Sequence, residues 1–111
     1  MRSALAAALC FCWAPLGASL AGEFTVDLRE AGRIIAEERC ASCHAIAAAD
    51  ESRLAEAPPF RRLHQRYPVE HLAEALAEGI EVGHEAMPEF VFEPREIDAL
   101  IAYLKSLEPP E

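Results

Sequence analysis

The sequence predicts an all-α fold, and three observations carry that prediction. Apolar residues recur at helical spacing in three separate stretches. Each stretch has a residue at its start or its end that suits a helix terminus. No stretch sustains the period-two alternation of a half-buried strand. At 111 residues the chain is one small domain.

The first element is expected to be absent from the working protein. Met1-Arg2 is a short basic start, residues 4–14 are almost wholly apolar, and Ser19-Leu20-Ala21 places small residues where a signal peptidase reads. Residues 1–21 therefore read as a cleaved secretory signal, leaving a single domain over 22–111. The apolar run is short for a membrane span, so no stable anchor is expected after cleavage. Cys10 and Cys12 leave with it. The remaining domain buries only about 60–65% of the surface its unfolded chain would expose, and domains of that size often depend on a staple.

The first helix of the mature domain runs from about Asp27, a suitable cap, through the stripe Leu28, Ala31, Ile34 and Ile35. The second begins at Pro68, a favoured first-turn residue. It carries Val69, Leu72, Leu76 and Ile80 on one face and Glu70, Glu74 and Glu78, a solvated row, on the other. Gly79 sits where a helix would stop. The third begins at Pro94, has the wide stripe Ile97, Leu100, Ile101, Leu104 and Leu107, and ends before Pro109-Pro110. Loops are expected in the Ala-rich piece after residue 44, at Ala57-Pro58-Pro59-Phe60, and from Glu81 to Phe92.

The net charge is −9. Of the ten basic side chains nine are Arg, and Lys105 is the single lysine. Nucleic acid is excluded as a partner, because its phosphates would repel such a chain. The charge suits either a well-hydrated exported protein or one that meets partners through their basic faces.

Chemistry is concentrated at Cys40-Ala41-Ser42-Cys43-His44. C-x-x-C-H is the attachment signature of c-type haem. Two thiols add to the porphyrin vinyl groups, and the imidazole that follows can reach the iron. A zinc site would need two further ligands, yet no cysteine follows residue 44 and His64, His71 and His84 are scattered. A redox dithiol would need a strand–helix junction in a βαβ frame, and the approach through Ile34 to Arg39 reads as helix. One covalent haem would be both staple and apolar core for so small a domain. It also agrees with export, since this haem is attached on the exported side of a bacterial membrane.

The far side of the iron needs a second ligand. Met87 is the one methionine left after residue 21, and Pro88 biases its backbone towards an extended conformation in a loop. It could simply fill a gap in the core; the haem motif favours it as the sixth ligand. His84, three residues earlier, is the rival, and bis-histidine ligation would give a lower potential.

These residues together resemble class I cytochromes c, particularly the short bacterial forms, from about Gly32 to Leu107. The matching pieces are Gly32, Cys40 to His44, Ala57-Pro58-Pro59-Phe60, Met87-Pro88-Glu89-Phe90, and the closing helix with Tyr103. The resemblance implies a cytochrome c fold, with three main helices packed around a covalently attached haem. It implies a close crossing of first and last helices at Gly32 and Tyr103, and His44 and Met87 as axial ligands. It implies as well that a carbonyl of Pro58 or Pro59 accepts a hydrogen bond from the His44 ring. Family members commonly have an aromatic residue four positions after the glycine. Here that position is Ala36, and Ile35, Phe90 or Phe92 would fill the gap. In similar proteins residues after the proline loop meet the haem propionates. Within the basic cluster Arg61, Arg62 and Arg66, Arg66 and Tyr67 are the candidates.

The function expected is that of a periplasmic one-electron carrier with no catalytic residue of its own. Glu85 and Glu89 flank Met87, so redox partners docking at that rim would present a basic face. A haem-bearing subunit of a larger dehydrogenase or oxidase would have the same sequence features. A haem sensor or peroxidase would need a displaceable Met87, and no acid–base constellation supports peroxidase chemistry.

Overall fold

Three α-helices joined by irregular segments make up the computed structural model, which describes residues 26–79 and 86–111. Among the described residues there are no strands. The expected signal segment, His84 and Glu85 lie outside them.

Helix α1 spans Leu28–Arg39. Asp27 caps it as expected: its side chain accepts from the N–H groups of Arg29 and Glu30, which would otherwise lack partners in the first turn. Gly32 and Ala36 face inwards. Helix α2 spans Leu72–Glu78, and a 3-10 turn over Val69–His71 precedes it. The second helix thus starts as a tighter turn than the apolar spacing predicts. Its α-helical part is short, because Gly79, with φ 94°, ends it. Helix α3 spans Pro94–Ser106. Pro94 occupies its first turn, and Glu93 and Glu96 form a reciprocal capping box.

Helices α1 and α3 form the principal packing unit. Gly32 lets them cross closely, since a Cβ there would lie only 2.7 Å from Tyr103 Cβ. Arg39, at the end of α1, pairs with Glu96 of α3 at 3.1 Å. Its guanidinium also lies 5.0 Å from the centre of the Phe92 ring. Lys105 pairs with Glu70 at the surface, and Glu70, Glu74 and Glu78 are all exposed, as a solvated row should be.

The core gathers Ala36, Phe60, Leu63, Val69, Leu76, Phe92, Ile97, Leu100, Tyr103 and Leu104. Ala36 is fully buried. Of the three side chains expected to fill the gap beside it, Phe92 is buried in this core, whereas Ile35 and Phe90 are only partly buried against it. Phe60–Gln65 form a 3-10 helix where the apolar pattern shows only a loop. Phe60 and Leu63, one 3-10 turn apart, are its buried residues.

Candidate functional site

The C-x-x-C-H residues form one further turn beyond α1. The N–H groups of Cys40 and Ala41 both donate to the Ala36 carbonyl, at 2.9 and 3.0 Å. Those of Cys43 and His44 then donate to the Cys40 carbonyl, at 3.1 and 2.9 Å. The helix is thereby tightened and closed, with both sulfurs and the imidazole on one short turn. Both cysteines are half-buried. Burial pushes the Cys40 thiol up to about 11, against the opposing pull of Arg39. Cys40 packs among the apolar side chains on the core.

The His44 ring is held in a defined orientation. Its Nδ1 lies 2.8 Å from the Pro58 carbonyl oxygen. A carbonyl can only accept, so Nδ1 carries a proton, which leaves Nε2 as the nitrogen that can offer a lone pair. Phe60 packs on the same imidazole, ring centres 5.2 Å apart. Between the two prolines that the sequence leaves open, Pro58 supplies the acceptor.

Met87 is half-buried and packs on the core with Phe90. Its loop is tied to α2 where the Phe92 N–H donates to the Leu76 carbonyl at 3.0 Å. Phe90 and Phe92 pack against one another, ring centres 5.9 Å apart. The rival His84 lies outside the described residues.

The basic cluster divides. Arg61 is occupied within the protein: its Nη1 donates to the Asp50 carbonyl at 2.6 Å. Arg66 and Tyr67 are exposed, and among the described residues no hydrogen bond or ion pair engages either side chain. A groove of about 320 Å³ touches Ala48, Arg61, His64 and Leu107. None of Cys40, Cys43, His44 or Met87 lines it, so it is separate from this site.

Sequence reasoning missed several residues that organise the site. Phe60 was read only as part of the proline loop. Asp50 and Ser52 bind the backbone just after His44, from within a stretch that the sequence marks only as loop. Short polar side chains in loops commonly bond nearby backbone, which is the signal that could have drawn attention to them.

Two thiols and an imidazole on one turn, with the ring proton directed to a carbonyl and a thioether on the core, suit a porphyrin held through sulfur and bound at its iron by nitrogen. An all-α domain with a C-x-x-C-H turn is the class that fold and site define. The family model described as cytochrome c matches residues 29–108, and the chain belongs to that family. No curated protein matches the chain, and no solved structure does. Membership makes this a haem-based electron-transfer protein carrying covalently bound haem c. No helix among the described residues is long and apolar enough to cross a membrane.

Proposed function

We propose that the protein is a periplasmic one-electron carrier with a single haem c, His44 and Met87 being its axial ligands. The His44–Pro58 bond at 2.8 Å is the observation that supports this most directly. It leaves Nε2 as the one ring nitrogen free to bind a metal.

When bound, the haem supplies the reversible Fe(III)/Fe(II) couple. Cys40 and Cys43 hold it covalently. Pro58 keeps the His44 ring oriented and raises its basicity. Met87 would be the second protein ligand, and its thioether would favour the ferrous state more than a second imidazole would. With His44 and Met87 both holding the iron, external ligands would be kept off it. Phe60, Leu63, Leu76, Phe92, Leu100 and Leu104, all buried, exclude water from the core. Arg66 and Tyr67 would meet the propionates, an Arg fork suiting a carboxylate. Residues 1–21 direct export and are removed, and the acidic chain meets redox partners through their basic faces.

An optical spectrum of the ferric protein tests the ligation. The weak far-red band of iron bonded to thioether sulfur is expected. Its absence would give the sixth position to His84 or leave it open. Carbon monoxide should not bind the reduced protein at neutral pH; rapid binding would favour a sensor or peroxidase role.

A further inference from the structure

We propose that Asp50 is a positioning residue for the haem ligand His44, acting through the two backbone segments that meet at the His44–Pro58 bond. The proposal rests on His44 being an iron ligand, as argued above.

Pro58 and Pro59 have no N–H. The carbonyl that accepts from His44 therefore sits in a segment unable to anchor itself by its own donors. Its position is set by neighbours. On one flank the Ala57 N–H donates to Leu54 O at 3.0 Å. On the other, the Phe60 N–H donates to Ala45 O at 2.9 Å, and the Arg61 side chain donates to the main-chain carbonyl of Asp50 at 2.6 Å.

Asp50 also holds the histidine side of the bond. The N–H groups of Ile46 and Ala47 donate to its two carboxylate oxygens, Ile46 to Oδ2 at 3.1 Å and Ala47 to Oδ1 at 3.0 Å. The Ala45 N–H donates to Ser52 Oγ at 2.9 Å, and the Tyr103 hydroxyl to Ile46 O at 2.6 Å. Residue 50 thus binds 46–47 through its side chain and residue 61 through its main chain, spanning both partners of the His44 bond.

The chemistry calls for a carboxylate. Two consecutive amide donors are matched one to each oxygen, and charge strengthens both bonds. Asn offers one uncharged acceptor oxygen in place of two charged ones, so it holds the two donors less firmly. Arg61, with its guanidinium 3.7 Å from Asp50 Oδ1, offsets the charge. The Arg61 side chain is 19% exposed and that of Asp50 42%, so solvent screens the pair in part.

Loosening this brace should weaken the Pro58 bond, reduce electron donation by the imidazole and disfavour ferric iron. The test uses the haem-loaded protein, with attachment verified by mass. In Asp50→Ala the ferric-to-ferrous ratio at a fixed poise should fall by roughly threefold, less than the tenfold or more typical of removing a direct ligand partner. Exchange of the His44 Nδ1 proton, followed by NMR, should be faster than in the parent. Asp50→Asn should recover part of both changes, and it serves as the test if the alanine variant does not fold. Ile101→Ala, which removes partly buried apolar packing outside this network, should lower Tm and leave the ratio unchanged. A parental ratio and parental ring-proton exchange in the Asp50 variants would overturn the proposal. So would an Ile101→Ala ratio shifted as far as theirs. Absence of covalent haem from the parent protein would overturn the haem-ligand reading itself, an outcome distinct from a loaded protein indifferent to Asp50.

Discussion

Gly32 in α1 lies directly against the backbone of Ala99 in α3. A Cβ on Gly32 would come within 2.6 Å of the Ala99 carbonyl carbon and closer still to its oxygen. Backbone cannot swing aside as a side-chain tip can. In an exposed helix Gly32→Ala would gain about 1 kcal/mol of helix propensity. Here overlap forces the helices apart, at a cost of roughly 1–3 kcal/mol or more. Net destabilisation is expected, with a larger loss for Gly32→Val, read as a lower urea midpoint. An unchanged or raised midpoint in Gly32→Ala would show that the crossing has slack.

Tyr103 joins the same crossing to the loop after His44, its buried hydroxyl donating to Ile46 O at 2.6 Å. In Tyr103→Phe that carbonyl loses its donor, and stability should fall by about 1–3 kcal/mol. Burial raises the pKa of this phenol above its usual 10.0, although Arg33 pulls the other way. The folded state therefore favours the protonated phenol, which is also the form that can donate. Its contribution is fully present below pH 10.0 and is lost as pH rises through the elevated folded value. Denaturant titrations across that range should show a loss in the parent protein that is smaller in Tyr103→Phe. Equal alkaline slopes for the two would sink this account.

The elements governed by local chemistry were legible in the sequence. Asp27 caps α1, Pro94 opens α3 and Gly79 stops α2, because each acts on its own backbone within a few residues. The Phe60–Gln65 turn was not legible, since Phe60 and Leu63 supply only a single i, i+3 pair. Pro58 could not be chosen over Pro59 either. Both offer a carbonyl, and only the fold commits that of Pro59 to the Arg62 N–H at 2.9 Å, leaving that of Pro58 for His44. Nor did composition single out Asp50 in its loop, because its partners Ile46, Ala47 and Arg61 become neighbours only through the fold.

Gly79 makes the end of α2 sensitive to substitution. Its φ of 94° and ψ of 122° fall where an L side chain is strained. Gly79→Ala should cost about 1–3 kcal/mol. The clash with Glu89 is secondary, because it involves the carboxyl end of a flexible side chain. The strained backbone predicts that Glu89→Ala will not rescue the variant, as thermal melts can show. Full rescue would make the clash the dominant effect.

Arg66 tests the propionate assignment. If its guanidinium lies beside a propionate, Arg66→Leu leaves that carboxylate uncompensated, and ferric iron becomes favoured. At the distances and screening of an exposed group, the ferric-to-ferrous ratio at fixed poise should rise roughly twofold to fivefold. Potentiometric titration reads this directly. An unmoved potential would make Arg66 a solvated surface charge.

If Met87 holds the iron, as proposed, the redox character depends on it more than on any other side chain. Met87→Ala should leave covalent attachment intact, because Cys40 and Cys43 are untouched, while opening the sixth position to carbon monoxide in the reduced protein. Met87→His should exchange thioether for imidazole and lower the midpoint potential. The drop should take up a sizeable part of the roughly 0.8 V range over which axial ligands tune haem proteins. Such a fall, with loss of the far-red band, is the pattern required if sulfur binds the iron. If neither substitution alters the potential or carbon monoxide binding, Met87 is a packing residue and another group holds the sixth position. His84→Ala would then be the variant to show the fall in ligand-field strength and the gain of carbon monoxide binding.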